Sequence, residues 1–367
     1  MAIITGFLTV GGTLTGTEDG DQIYGNARGP VNVATGGDRI FGRGGDDVIV
    51  GDTGDYQTGN LDIVAGDIGP AGRGGNDLIQ GGDGDDDLFG DCNGTLLGIG
   101  GDDILHQNAG RGLLVGDAIL LAGAARCGND QLHGQGILIG DAFSGLAAGY
   151  GDDVLTAGSG ADTSLWGDLF VGTLGGTRVG GADLLRGGSG GNVLVGDAQL
   201  LGGAARGGND QLWGHGGDDR LAGDAISGLA DRARGGNDVL RGGAGDDRVV
   251  GDGESLGEFA QGGDDRLLGG AGDDELWGDG ELPDSAVGGK DRFVFAGSFG
   301  DDSIRDFRTE DGDQIVLQGL TQSEVQLTIV TVTDPNDSTL ITTLGDQSIT
   351  LVGFTGPLTP GVDIVFA

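Results

Sequence analysis

Residues 207–224 read GGNDQLWGHGGDDRLAGD, residues 235–252 read GGNDVLRGGAGDDRVVGD, and residues 262–279 read GGDDRLLGGAGDDELWGD. The three align without gaps over 18 residues. Each holds two nine-residue units: a glycine-rich turn, an aspartate, any residue, a large aliphatic, any residue. Nine residues separate Asp210 from Asp219, Asp238 from Asp247 and Asp265 from Asp274, and the same step joins Asp38 to Asp47, Asp77 to Asp86 and Asp153 to Asp162. Two residues beyond such aspartates stand Ile40, Ile49, Ile79, Leu88, Leu105, Leu132, Leu155, Leu185, Leu212, Leu221, Leu240, Val249, Leu267 and Leu276. One inward residue in a three-residue extended piece is what a very short strand supplies. Such a piece is unstable alone. Stacked coil on coil, the pieces pair in parallel and their inward residues form a continuous aliphatic ladder. The flanking Arg220, Arg248, Arg266 and Glu275 are expected to face water.

Composition agrees with a tightly turned repeat. The 367 residues include 86 glycines, 6 prolines, one methionine and 5% aromatics, too few large apolar side chains for an ordinary core. Collagen would need glycine at every third residue and far more proline. Disorder would scatter the aliphatics, which here recur in phase. Glycine takes the positive φ that a reversal after three or four residues requires, and it lets carbonyls approach an ion. Acidic residues number 58 against 19 basic, a formal charge of −39. That field repels nucleic acid and anionic lipid, so neither is an expected partner. Aspartates in glycine turns point to a hard, oxygen-seeking cation, calcium first.

A longer period lies over the nine. Gly-Asp pairs, with aspartates Asp91, Asp117, Asp141, Asp168, Asp197, Asp224, Asp252 and Asp279, follow one another at 26, 24, 27, 29, 27, 28 and 27 residues. The coil is therefore about 27 residues: an 18-residue pair of units plus an extra stretch of nine or ten. The extra stretches resemble one another, as in AILLAGAARC at 118–127, AQLLGGAARG at 198–207 and AISGLADRAR at 225–234. Two architectures fit: an 18-residue roll with stacked loops on one edge, which we favour, or a three-sided solenoid. The Gly-Asp carboxylates either bind calcium or cap the start of the extra stretch.

The pattern GGxGxDx(aliphatic)x resembles the repeats-in-toxin, or haemolysin-type, calcium-binding repeat, over about residues 16–291. The resemblance implies an all-β fold, a right-handed parallel β-roll or β-solenoid, with several calcium ions held between successive turns by the pattern's aspartate and backbone carbonyls. Carried onto this chain, the ligands are Asp38, Asp47, Asp62, Asp77, Asp86, Asp103, Asp130, Asp153, Asp162, Asp183, Asp210, Asp219, Asp238, Asp247, Asp265, Asp274 and Asp291, for ions on the order of ten in number. Gly112 and Asn192 stand where the nine-residue step predicts aspartate, and residues 134–140 lack one. Calcium binding should be weakest at 110–195 and strongest in 36–91 and 207–291. Cys92 and Cys127 read as incidental loop residues rather than a disulfide.

From Asp291 glycine thins out, and alternating stretches VQLTIVTVT at 325–333, STLITTL at 338–344 and QSITLVGF at 347–354 predict antiparallel strands. They would cap an otherwise open edge. The expected organisation is an N-terminal cap and first repeat at 1–35, the repeat solenoid at 36–290 and a β cap at 291–367. DRFVF, DSIRDF, DQIVL and the terminal VDIVFA also resemble the end-region of secreted relatives, which implies recognition by a type I transporter. No basic leader or long apolar run marks the N-terminus, so an ordinary signal peptide and membrane insertion are not expected.

These features predict a secreted or cell-surface, non-catalytic calcium-binding structural protein that folds on extracellular calcium. A glycan-binding adhesin, a polysaccharide-modifying accessory or a self-associating protein are the alternatives. The histidines, His106, His133 and His215, all lie inside repeats, and no HExxH motif occurs. GGSGG at 187–191 matches a nucleophile elbow around Ser189 only formally, because it is a repeat turn. No catalytic residues are assigned. Flat threonine rows of an ice binder are absent.

Overall fold

The computed structural model describes residues 76–367 apart from 77, 84–86, 161, 284–285, 331–337, 344–346 and 355; before 76 it describes the strands Ile3–Thr5, Thr13–Thr15, Gln22–Tyr24, Arg39–Phe41 and Val48–Val50. The chain divides into two compact units, residues 1–174 with 178–185, and residues 175–177 with 186–367. Both are built by the same rule.

In the second unit Leu212 of strand Gln211–Gly216 pairs with Leu240, Leu240 with Leu267, and Leu267 with Phe293, all in parallel. The opposite face stacks Leu194, Leu221, Val249, Leu276 and Ile304 in the same way. Every one of these side chains is fully buried. The first unit repeats the arrangement with Ile79, Leu105, Leu132 and Leu155 on one ladder and Leu88, Leu114, Leu138 and Leu165 on the other. The result is an all-β parallel solenoid of about 27 residues per coil. Register is set by the aliphatics, because a slip of one residue would turn every rung to water. Burying each rung contributes about 1.5–3 kcal/mol, which no three-residue strand could gain alone.

The turn between the two faces demands glycine at particular places. Gly243 and Gly245 both have φ +128°, and Gly270 and Gly272 repeat this one coil on at +129° and +136°. His215, paired in register with Gly243, adopts φ +76° and carries strain that glycine avoids.

The extra stretch combines features of both architectures. It leaves the roll at Gly-Asp and returns at Gly-Gly as an edge excursion, but the excursions also stack on one another. Cys92–Leu96, Ala118–Leu121, Ala142–Gly145 and Leu169–Val171 form a parallel ladder in the first unit. In the second, isolated bridges link Ala198, Ala225 and Gly253, and likewise Leu201, Leu229 and Leu256. Their mutual resemblance now has a cause: Ala118, Leu121 and Ala125, Ala198, Leu201 and Ala205, and Ala225, Leu229 and Ala233 are the buried side of each excursion.

The C-terminal region begins as solenoid and ends as a cap. Arg292–Ala296 pairs in parallel with Gln314–Gln318, and Gln314–Gln318 with Ile364–Phe366. Ser348–Leu351 lies parallel to Asp301–Ile304 but antiparallel to Ser338–Thr343, which is antiparallel to Val325–Val330. Phe293, Phe295 and Phe299 are buried in this part of the core. On the outer face Arg220 and Arg248 pair with Glu254, and Arg248 and Arg305 with Glu275. These pairs are half exposed and contribute little stability.

Candidate metal centre

Within each unit aspartates stand in columns along the coils, of three kinds, each placed by a different turn. The first stands where an excursion rejoins the roll. Here the GG(N/D)D turn hands its second acidic residue inward: Asp103, Asp130, Asp153 and Asp183, then Asp210, Asp238, Asp265 and Asp291, all at most 2% exposed. Asp130, Asp153, Asp183, Asp238, Asp265 and Asp291 each reach back one coil. Asp130 Oδ1 accepts the Asp103 N–H at 2.7 Å, Asp265 Oδ1 that of Asp238 at 2.7 Å, and Asp291 Oδ1 that of Asp265 at 2.9 Å. The exposed residue before each reaches the other way: Asp102 accepts from Asn129 at 3.0 Å, and Asn237 from Asp264 at 2.7 Å. Every turn is thus latched to both neighbours.

That latching uses one oxygen. The Oδ2 atoms of Asp130, Asp153, Asp238, Asp265 and Asp291 are buried with no hydrogen-bond partner. Asp265 Oδ2 and the carbonyl of Gly278 converge on Gly251, so closely that a Cβ there would overlap both. Gly116, Gly140 and Gly223 meet the same pair of oxygens in their own coils. Replacing Gly251 with alanine should therefore force backbone apart and cost about 1–3 kcal/mol. A urea midpoint measured in calcium buffer checks this; an unchanged midpoint would show that the turn can yield.

The second column lies at the opposite edge. Asp219 accepts from Asn192 at 2.6 Å, Asp247 from Asp219 at 2.8 Å, Asp274 from Asp247 at 2.9 Å and Asp302 from Asp274 at 2.8 Å. Their Oδ2 atoms are again buried and unpartnered. Toward the N-terminus the column changes chemistry. Asn192 turns its amide onto Asp219 Oδ1 at 2.9 Å and the Gly190 carbonyl at 2.5 Å, a neutral donor in a carboxylate's place. In the first unit the equivalent positions, two residues before the rungs Leu114, Leu138 and Leu165, are Gly112, Gly136 and Thr163, and the glycines supply no ligand side chain.

The third column is the Gly-Asp aspartates. Asp224 accepts the Gly236 N–H at 2.9 Å, Asp252 that of Gly263 at 2.9 Å and Asp279 that of Gly289 at 2.6 Å, so each staples its excursion shut. The cap reading thus describes a real contact. All eight are buried.

Removing so many carboxyls from water favours their protonated forms. Burial pushes Asp130, Asp153 and Asp265 well above the usual carboxylate range and Asp238 up to about 8. Asp117, Asp224 and Asp252 rise well above it through burial first and neighbouring carboxylates second. On the thinner edge burial lifts Asp219 and Asp274 to about 6 and Asp247 to about 7.

Of the sequence-derived ligands, Asp38, Asp47, Asp62, Asp77 and Asp86 lie outside the described residues. In the first unit Asp103, Asp130, Asp153 and Asp183 stand together in the first column; in the second unit Asp210, Asp238, Asp265 and Asp291 do so, with Asp219, Asp247 and Asp274 in the second column. Asp162 is exposed, one residue before the buried Thr163, which holds the second-column position. Two members were missed. Asp302 extends the second column, and Asp313 the first by accepting the Asp291 N–H at 3.0 Å. The signal was there in Asp302-x-Ile304 and Asp313-x-Ile315, with Gly300 and Gly312 before them but without the paired glycines that normally announce it.

The donor set is all oxygen, anionic and close to backbone carbonyls, as a large hard cation prefers, and the unpartnered Oδ2 atoms are the vacancies in its hydrogen bonding. Calcium fits; soft-metal ligands such as paired thiolates or imidazoles are not gathered in these columns. Fold and columns together define a calcium-binding β-solenoid.

The family model of the RTX calcium-binding nonapeptide repeat, four copies long, matches residues 32–57, 71–91, 146–164, 179–199, 204–225, 232–255 and 259–281. The chain carries RTX calcium-binding repeats, and its cofactor is calcium, several ions per chain. No curated protein matches it.

Proposed function

We propose that this is a secreted, non-catalytic structural protein whose solenoid folds when its aspartate columns take up extracellular calcium. The observation that carries the reading is the set of buried carboxylate oxygens without a hydrogen-bond partner at Asp130, Asp153, Asp238, Asp265 and Asp291 on one edge and at Asp219, Asp247, Asp274 and Asp302 on the other. The ligands would be Asp103, Asp130, Asp153, Asp183, Asp210, Asp238, Asp265, Asp291 and Asp313 on one edge, and Asp219, Asp247, Asp274 and Asp302 on the other. Sites of the extracellular grade, with dissociation constants roughly 0.1–1 mM, stay empty in the cytosol and fill outside. An unfilled acidic chain remains extended enough to thread a type I transporter, and binding energy becomes folding energy after export.

The terminal strand Ile364–Phe366, which follows Asp363 in the VDIVFA sequence, is a single short parallel rung and easily exposed before folding. It suits a C-terminal export signal that is buried only after release. Co-expression with a type I transporter tests this. Full-length protein should reach the medium, and protein lacking residues 291–367 should remain inside. Export of the truncated chain, or none of the full chain, would overturn the route.

A second reading rests on one cleft of about 470 Å³, lined in part by Trp277, Glu281, Arg305, Phe307, Glu310 and Phe354. Aromatic edges beside charged groups suit a glycan. A glycan array in calcium buffer separates a binder from a purely structural protein.

A further inference from the structure

The Gly-Asp carboxylates do more than a cap requires. A cap needs one acceptor oxygen, and asparagine or serine would serve as well. Instead the chain buries a full carboxylate at this point in every described coil. Asp252 spends Oδ1 on Gly263, while its Oδ2 is buried with no partner. The residue has no exposed surface.

The charges acting on Asp252 come from both columns: Asp265 of the first, then Asp224 and Asp279 of its own. Gly251, immediately before Asp252, lies against Asp265 Oδ2, which is also unpartnered and buried. Gly262 lies against Asp252 Oδ2, 2.7 Å from the position of its absent Cβ, and against Asp279 Oδ1. Glycines on both sides thus clear a lane between two columns of carboxylates. In the first unit the same lane holds a natural probe. Cys127 stands where Gly100 and Gly235 stand in other coils, and its Sγ lies within 4.8 Å of carboxylate oxygens of both Asp117 and Asp141, which lie equally close to each other. Ligand atoms converging at that spacing are what an ion needs.

We infer that a row of divalent cations runs inside this lane, each ion held by Gly-Asp carboxylates of successive coils beside a first-column carboxylate. The inference rests on the calcium reading above and adds ligands that the nonapeptide pattern does not contain. The chain then has two classes of site. Ions in the lane are held by two columns, shut from water, and tie each excursion to the roll. Ions on the opposite edge are held by one column. More carboxylates in a more rigid cage bind calcium more tightly, so release from the lane should be slower by roughly tenfold or more.

Full-length protein with Asp252→Asn keeps the cap oxygen and loses the charge; Asp247→Asn does the same on the opposite edge. Calcium content by equilibrium dialysis and release into chelator by stopped flow are the readouts. Asp252→Asn should lower the calcium content and shrink the slow phase, and Asp247→Asn should shrink only the fast one. If Asp252→Asn retains the wild-type content and slow phase, the Gly-Asp aspartates are caps alone. Loss of binding in Asp247→Asn but not Asp252→Asn overturns the lane and leaves the calcium reading intact, whereas a wild type that binds no calcium overturns both. Should Asp252→Asn fail to fold, terbium luminescence lifetimes on the wild type decide. A class of ions without inner-sphere water supports the lane, and hydration of every ion overturns it.

Discussion

Chelation at neutral pH is expected to abolish the β signal of the solenoid in far-UV circular dichroism, and millimolar calcium to restore it. The argument is about uncompensated charge. Ionised and unpaired, each buried carboxylate costs several kcal/mol. The second unit alone holds Asp238, Asp265 and Asp291 in one column and Asp219, Asp247, Asp274 and Asp302 in another, each with an unpartnered oxygen. A domain's entire stability is about 5–15 kcal/mol, so a handful of such penalties exceeds it. The aliphatic rungs cannot offset the deficit separately, because each rung is buried only when the coils on either side have formed. Folding and filling are therefore one event. Magnesium at the same concentration should restore much less, since it demands octahedral geometry and keeps its waters. A metal-stripped protein with unchanged β content and melting temperature would sink this account.

Much of this was legible in the sequence because the repeat is nearly one-dimensional. Asp-x-Leu at a nine-residue step fixes which side chain points inward, and stacking then leaves little choice of register. Leu212, Leu240 and Leu267 could be placed in one ladder from spacing alone, and they are so paired. The misplacement of Asp162 shows the limit of counting. Nine residues from Asp153 leads to Asp162, yet Leu165 is the buried rung and Thr163 the residue two before it. Hydrophobic burial sets the register there, and arithmetic gives way. The C-terminal columns were hidden for a different reason. Asp302 and Asp313 carry the ladder on after phenylalanines have replaced glycine-rich turns, so composition signals a new segment where the backbone still winds. The excursions were readable as ordered from their alanines and leucines, but their parallel stacking depends on contacts 24–28 residues away. No local pattern encodes those contacts.

Without metal, stability should fall as pH rises, the reverse of what a salt-bridged acidic protein shows. The folded chain holds its protons: burial lifts Asp238, Asp141 and Asp302 to about 8, Asp247 and Asp279 to about 7, and Asp219 and Asp274 to about 6, all from 3.8. Below about pH 4 both folded and unfolded chains are protonated at these positions, and no penalty exists. Between about 4 and 8 the unfolded chain releases protons that the folded chain keeps, so each step in pH favours unfolding. For a group as enclosed as Asp238 the whole window is worth on the order of 5 kcal/mol. Calcium reverses the sign, because acid then competes with the ion for the same oxygens. Far-UV β content at pH 5 and pH 8, each with calcium and with chelator, should cross: the metal-free chain more folded at 5, the loaded chain more folded at 8. General relief of charge repulsion at acid pH would also favour the compact chain, so a local control is needed. Asp247→Asn removes one group that titrates inside the fold, and should flatten the metal-free slope between pH 4 and 7. If the metal-free β content instead climbs with pH, the columns are neither buried nor protonated as described, and the need for calcium disappears with them.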